Sequence, residues 1–266
     1  MSLHRVSQLF IYPIKSLGGI ALTISKVLYK GLQYDRRWML VDSRNQFMTQ
    51  RTFSALALFK LRMEEQSSHF VIDYKGATLT IPFTATGALY EAIVWDDVVK
   101  VQEVSPEVSK WFSHHLGQTV KLVWFPEENK RYIDYDFAQT MQDQTSLSDG
   151  YPILLVGQAS LNDLNGRLEN PVSMDRFRPN IVFEGGTPFE EDTYTHFSIN
   201  GVKMVGVKPC ARCVITTIDQ TTGTKGKEPL ATLNAYRNAG NKVLFGQNVI
   251  PTGEGTIQVG DEISLG

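Results

Sequence analysis

Short runs rich in β-branched and aromatic residues recur along this chain, each closed within a few positions by Gly, Pro, Asn or Asp, and this recurrence is what most limits its fold. In the first part they fall at Val6 to Tyr12, Leu22 to Tyr29, Arg37 to Asp42, His69 to Tyr74, Thr78 to Ile81 and Val98 to Val104. Beyond residue 150 they return at Pro152 to Val156, Asn180 to Phe183, Phe197 to Ile199, Val202 to Val207, Val214 to Asp219, Val243 to Ile250 and Thr256 to Val259. Their lengths and residue types are those of strands. Leu22, Ile24, Lys26 and Leu28 alternate with Thr23, Ser25, Val27 and Tyr29, the period-two pattern of an extended chain.

Helical signals are few. Ser105-Pro106 opens one helix, with Val108, Trp111, Phe112 and His115 at helical spacing and Gly117 as its stop. Ser160, with Asp163 three residues on, is expected to cap a second that carries Leu161, Leu164 and Leu168 on one side. A third lies near Pro229 to Asn238 and stops at Gly240. The polar stretch Glu127 to Ser148 reads as a long loop. The expected fold class is therefore α+β and β-rich, with two β units facing each other.

Composition excludes several function classes. Hydrophobic residues make up 42% and charged residues 20% of the 266, as in globular proteins. No apolar run approaches the roughly 20 residues that span a bilayer. The start, Met1 to Gln8, has no basic segment followed by a long apolar one. A cytoplasmic protein without a membrane partner is expected. A net charge of −2 gives no global reason for nucleic-acid binding, so any anion site must be local.

Both cysteines lie in Lys208-Pro209-Cys210-Ala211-Arg212-Cys213. Redox C-x-x-C pairs sit where a strand gives way to a helix, whereas Val214-Ile215-Thr216-Thr217 favours a strand, so this pair is expected to enter one. The five histidines show no spacing that would complete a zinc site. Two readings remain. Arg212 and Lys208 favour a thiolate fit for a nucleophile or a metal ligand, or the pair are small apolar core residues.

Other candidates are cationic. Tyr12-Pro13-Ile14-Lys15-Ser16-Leu17-Gly18-Gly19 combines a cation, a hydroxyl and two glycines whose N–H groups can approach a phosphate, though a simple turn has the same composition. Arginines at Asp35-Arg36-Arg37, Gln50-Arg51 and Arg176-Phe177-Arg178-Pro179-Asn180 suit bidentate phosphate or heterocycle recognition. His114-His115, about 100° apart on a helix, cannot share a metal.

Taken together, Tyr12-Pro13-Ile14-Lys15-Ser16, Asp35-Arg36, Phe177-Arg178-Pro179-Asn180, Cys210-Ala211-Arg212-Cys213 with Thr216-Thr217, Glu228-Pro229-Leu230 and Phe245-Gly246-Gln247-Asn248 resemble the MOSC family, in order along nearly the whole chain. Within it the resemblance is to amidoxime-reducing proteins of mitochondria and their bacterial counterparts. It implies an N-terminal MOSC-associated β-barrel domain over residues 1–120 and a MOSC domain over 121–266. It also implies a pyranopterin molybdenum cofactor whose metal is bound by Cys213, with Lys15, Ser16 and Arg36 around the phosphate and Arg178, Asn180 and Arg212 as further contacts. Asp149 matches an acidic residue beside the metal able to pass protons, and also suits a turn before Gly150. Cys210 matches a position that is not a ligand.

The activity so implied is reduction of small N-hydroxylated compounds: amidoximes, hydroxylamines and N-hydroxylated bases. Since no cysteine is left for an iron–sulfur cluster, electrons are expected from a separate ferredoxin- or flavin-type donor protein. The alternative is a non-catalytic molybdenum cofactor carrier or a sulfur-transfer module using Cys213. A metal-free nucleotide-binding barrel is a third.

Overall fold

The computed structural model describes residues 3–64 and 68–266. Its largest sheet runs in the order Ile20–Leu22, Arg5–Ile11, Ile181–Glu184, Ile153–Gly157, Lys242–Pro251, Val202–Arg212, His196–Ile199 and Ile263–Leu265. The pairs are antiparallel except Ile153–Gly157 with Ile181–Glu184. A parallel pair needs a crossover, and helix α2 (Gln158–Asn165) supplies it, burying Leu161 and Leu164. A second sheet orders Trp38–Asp42, Val120–Trp124, Asp97–Glu103 and Leu89–Val94, and with the three-stranded sheet Lys60–Arg62, His69–Tyr74 and Ala77–Pro82 it forms the barrel-like N-terminal region. The fold is β-rich α+β.

Helix α1 (Pro106–Leu116) forms where its punctuation says it should. The Ser105 hydroxyl accepts from Val108 N–H at 3.2 Å, Pro106 takes the first turn, and Gly117 at φ 66° ends it. Phe112 reaches a core that joins Trp38, Phe59 and Phe70 to Phe183, Val249 and Ile263 from the far end of the chain. A second cluster under α2 and helix α3 (Leu230–Tyr236) stacks Phe177 on Phe245 with ring centroids 4.0 Å apart. Gly246 follows at φ 80°, where a Cβ would stand 2.8 Å from Val156.

Three local expectations are corrected. Val214 to Asp219 is not a strand: Val214–Thr217 forms a 3-10 turn, so the cysteine pair leaves a strand instead of entering one. Ser160 does not cap α2, because Gly157 holds that position, and the Ser160 hydroxyl instead donates to Glu191 Oε2 at 2.8 Å. Glu127 to Ser148 is mostly loop but carries the short pair Arg131–Tyr132 and Gln144–Thr145. Leu89–Val94 and Val120–Trp124 are strands that the sequence reading passed over.

Candidate functional site

Strand Val202–Arg212 is interrupted by two register shifts, between Gly206 and Lys208 and between Pro209 and Ala211. Bulges of this kind bend a strand and re-aim its side chains, and here they accommodate Pro209 and turn Cys210 to Cys213 toward a cavity of about 190 Å³. Lys15, Ser16, Arg36, Asp149, Arg178, Asn180, Arg212 and Cys213, distant in sequence, all line it. Both cysteines are free and half-buried on its wall, so neither is sealed in the core, although Cys210 packs against the cluster that holds Phe177 and Phe245.

Lys15 follows the buried Ile14 and is itself 5% exposed. Its ammonium donates to Asp149 Oδ1 at 2.5 Å and to the Leu147 carbonyl at 2.7 Å. Burial pulls its pKa down to about 8, against the opposing pull of Asp149. Ser16 next to it sits at φ 69°. The glycines do not approach an anion: Gly18 N–H is engaged by the Phe59 carbonyl at 3.0 Å, and Gly19 packs where a Cβ would meet the Tyr12 ring.

Arg36 is held in the left-handed region at φ 49° by the fully buried Asp35, whose carboxylate accepts its Nη1 at 2.8 and 2.6 Å. The same guanidinium donates to Asn180 Oδ1 at 3.1 Å and to the Arg178 carbonyl at 3.2 Å. Asn180 is otherwise engaged with Leu154 N–H and the Phe10 carbonyl, so it fixes Arg36 and the strand beneath. Arg178, at φ 55°, lies 4.2 Å from the Tyr12 ring centroid, with Arg36 at 4.4 Å. Burial lowers the Arg178 pKa to about 10, with Tyr12 working against the shift and Arg36 adding to it. Ser16, Arg36 and Arg178 are thus three non-glycine residues kept at positive φ around one cavity, a conformation that persists only where surroundings enforce it.

Arg51 completes the site, and only its residue type and neighbourhood hinted at it. Its Nη2 donates to Asp149 Oδ2 at 3.1 Å and its guanidinium stacks 4.5 Å from the Trp95 centroid. Burial works against its charge, but Asp149 and then Cys213, each by charge and a hydrogen bond, hold its pKa above the ordinary arginine value. Arg51, not Lys208, is therefore the cation at Cys213: Lys208 faces Phe137 at 3.4 Å and Tyr151 at 4.9 Å. Arg212 donates to the Cys210 sulfur at 3.1 Å and to the Phe177 carbonyl at 2.5 Å. Arg176 turns away to Asp219 at 2.9 Å.

Among the described residues, five cations, Lys15, Arg36, Arg51, Arg178 and Arg212, line the cavity with one carboxylate, that of Asp149. Burial alone would raise the pKa of Asp149, yet Lys15 and Arg51 hold it well below the usual carboxylate range. Asp149 is consequently an acceptor at neutral pH. Among the described residues, four polar atoms lining the cavity, Arg178 Nη2, Arg212 Nε, Ser148 Oγ and Tyr151 Oη, are buried without a partner. Unsatisfied donors under net positive charge suit a polyanionic, multiply hydrogen-bonded ligand. Among the described residues no three His, Cys, Asp or Glu side chains converge on one point, so a metal here must draw most of its ligands from a bound group.

Residues 3–119 match the family model described as the MOSC N-terminal beta barrel domain, and residues 142–264 the one described as the MOSC domain. Mitochondrial amidoxime-reducing component 1 of Mus musculus is 33% identical over 277 residues, covering 98% of this chain and 82% of that protein. The chain belongs to the MOSC-domain family. The human component 1 is 32% identical over the same share of each chain. The molybdenum cofactor sulfurase of Oryza sativa is 28% identical over 91% of this MOSC chain, which spans 32% of that longer protein.

Two further groups beside this MOSC site escaped the sequence reading. Gln50, fully buried, donates to the Ser16 carbonyl at 2.7 Å and exchanges amide hydrogen bonds with Gln220 at 3.2 and 3.1 Å. Trp95 donates to Asp149 Oδ1 at 3.3 Å from the tip of a hairpin. Both depend on pairings 34 to 170 residues apart, which no local pattern encodes.

Proposed function

We propose that this MOSC protein is a molybdenum-cofactor-dependent reductase of N-hydroxylated compounds, supplied with electrons by a separate donor protein. The observation that carries the reading is the gathering of Cys213 and five cations, with unpartnered guanidinium nitrogens on Arg178 and Arg212, around one cavity. When bound, the cofactor supplies two-electron oxygen-atom chemistry that side chains lack. The Cys213 sulfur would be the protein's ligand to its metal, since a thiolate is a soft donor. Lys15, Ser16 and Arg36 would hold the phosphate, and Arg178 and Arg212 the pterin through their free nitrogens. Asn180 would act by fixing Arg36. Asp149, ionised at neutral pH, would take part in proton passage as the acceptor that orients the Lys15 ammonium bonded to it, and that ammonium would be the group able to release a proton near pH 8.

The second reading, a cofactor carrier or sulfur-transfer module using Cys213, is favoured by the likeness to the molybdenum cofactor sulfurase over 91% of the chain. Molybdenum content and turnover separate the two. We expect about one metal per chain in the wild type and loss of it in Cys213→Ser. Unchanged metal in the variant would remove Cys213 from the coordination sphere. The metal-loaded wild type is expected to reduce benzamidoxime with a reduced viologen, and loaded protein without turnover would establish the carrier.

A further inference from the structure

We infer that Arg131 is a positioning residue for the Lys15–Asp149 pair, holding the chain from Ser146 to Asp149 against the ammonium through a guanidinium fork that Asp97 anchors from a neighbouring hairpin. What the pair does in the reaction rests on the reductase reading given above, whereas its geometry does not.

The backbone's own needs point to this residue. Ser146 to Asp149 follow the short strand Gln144–Thr145 as irregular chain, yet Ser146, Leu147 and Ser148 are buried. Buried carbonyls need partners, and here side chains supply them. Arg131 Nη1 donates to the Ser146 carbonyl at 3.0 Å and to the Ser148 carbonyl at 2.6 Å, while the Lys15 ammonium takes the Leu147 carbonyl between them at 2.7 Å. Arg131 Nη2 stands 3.5 Å from the carbonyl of Asp149 itself. Two cations thus hold successive carbonyls of one segment, and that segment ends in the carboxylate that Lys15 bonds.

The anchor belongs to another element. Arg131 Nε donates to Asp97 Oδ2 at 2.7 Å, and Asp97 pairs with Val94 across a two-residue hairpin turn. The same turn carries Trp95, whose indole donates to Asp149 Oδ1 at 3.3 Å. Asp149 is therefore fixed twice from one hairpin, at its carboxylate by Trp95 and along its backbone through Asp97 and Arg131. Trp95 sits at φ 58°, a conformation unusual for a bulky residue, and is packed on Phe47 and on the Arg51 guanidinium. A turn so held is a firm base for Asp97.

Side-chain type decides what position 131 can do. A guanidinium presents donors in a planar fork that serves a carboxylate and two carbonyls at once, whereas lysine keeps the charge as a single point. The charged groups facing Lys15 are Asp149, Arg131 and Arg36, with Arg51 on the far side of Asp149. By charge alone Arg131 lowers the Lys15 pKa, so a substitution that keeps the charge and loses the fork isolates the effect of position. Once the Leu147 carbonyl and the Asp149 carboxylate drift from the ammonium, burial acts on it unopposed and the Lys15 pKa falls further.

The test uses the purified full chain, isotopically labelled at the lysine Cε carbons, with the Lys15 resonance assigned as the one lost in Lys15→Met. Its titration midpoint is followed by nuclear magnetic resonance in wild type and Arg131→Lys, and sulfate is titrated calorimetrically into both at pH 7.5. Wild type should titrate at about pH 8. Arg131→Lys should lower the midpoint by roughly one pH unit and weaken sulfate about threefold, the loss of charged Lys15 that such a move entails. Asp97 is half-exposed, so its variants retain the fold if Arg131→Lys does not. Asp97→Ala removes the anchor, whereas Asp97→Asn keeps an acceptor for Arg131 Nε without the charge, and the midpoint should fall further in Asp97→Ala. An unchanged or raised midpoint in folded Arg131→Lys overturns the inference, as do equal midpoints in the two Asp97 variants or a wild-type Lys15 that titrates like an exposed lysine. A midpoint that falls as expected while metal-loaded wild type reduces no benzamidoxime upholds the positioning role and overturns the reductase reading.

Discussion

At the residue scale the site is governed by what burial does to Lys15. Its ammonium is charged below about pH 8 and neutral above, because desolvation outweighs the pull of Asp149. Two consequences of opposite sign follow. Anion affinity depends on the charge, so sulfate, which does not titrate in this range, should bind more weakly as pH rises through 8, by up to about tenfold per unit. Stability moves the other way: the folded pKa lies below the unfolded value of 10.5, the unfolded chain holds more protons between the two, and this group's contribution to stability rises with pH across that window. Sulfate titrations at pH 7.5 and 9 on wild type and Lys15→Met check the first effect. A pH step that survives in Lys15→Met would assign it to another group. The cations themselves were legible in the sequence, because guanidinium and ammonium groups sit in short motifs beside Pro, Gly and Asn. Arg51 was visible only as one arginine near a turn, and its bond to Asp149 spans 98 residues.

At the scale of elements, local rules worked where the chain's own neighbours decide and failed where side chains compete with the backbone. Helix α1 was legible because Ser105, Pro106 and Gly117 satisfy its ends from within. Val214 to Asp219 has strand composition, yet Thr216 Oγ1 donates to the Cys213 carbonyl at 3.0 Å and Thr217 Oγ1 to the Val214 carbonyl at 2.8 Å. Those i to i−3 bonds offer the backbone a turn, and the turn wins over β propensity. The Gln50–Gln220 pair gives a testable case of an element held from the side. Gln50→Ala strips the Ser16 carbonyl and the Gln220 amide of a buried partner, and should cost about 1–3 kcal/mol in denaturant unfolding. Because the Ser16 turn is tied through that bond, sulfate affinity should fall as well. Ser105→Ala should cost about 1 kcal/mol by losing the cap and leave sulfate affinity unchanged, since α1 lies away from the cavity.

Across the whole molecule, the cavity draws on both ends of the chain. Lys15, Ser16, Arg36 and Arg51 come from the first 51 residues, whereas Asp149, Arg178, Asn180, Arg212 and Cys213 come from beyond residue 148. Sheet pairing makes that convergence structural: Arg5–Ile11 lies between Ile20–Leu22 and Ile181–Glu184, and Ile24–Leu28 pairs with Gly255–Gln258. The same core cluster contains Leu9, Phe112, Phe183 and Ile263. Neither half can bury its share of that surface alone, so unfolding should be one cooperative transition, with near-ultraviolet dichroism and tryptophan fluorescence tracing coincident curves. An anion seated across the junction binds only the folded chain and should raise its stability by about 2.7 kcal/mol when its concentration is a hundred times its dissociation constant, moving the midpoint up with it. Two resolved transitions, or a ligand that shifts only one of them, would mean that the first and second parts of the chain fold separately and that the cavity forms by docking.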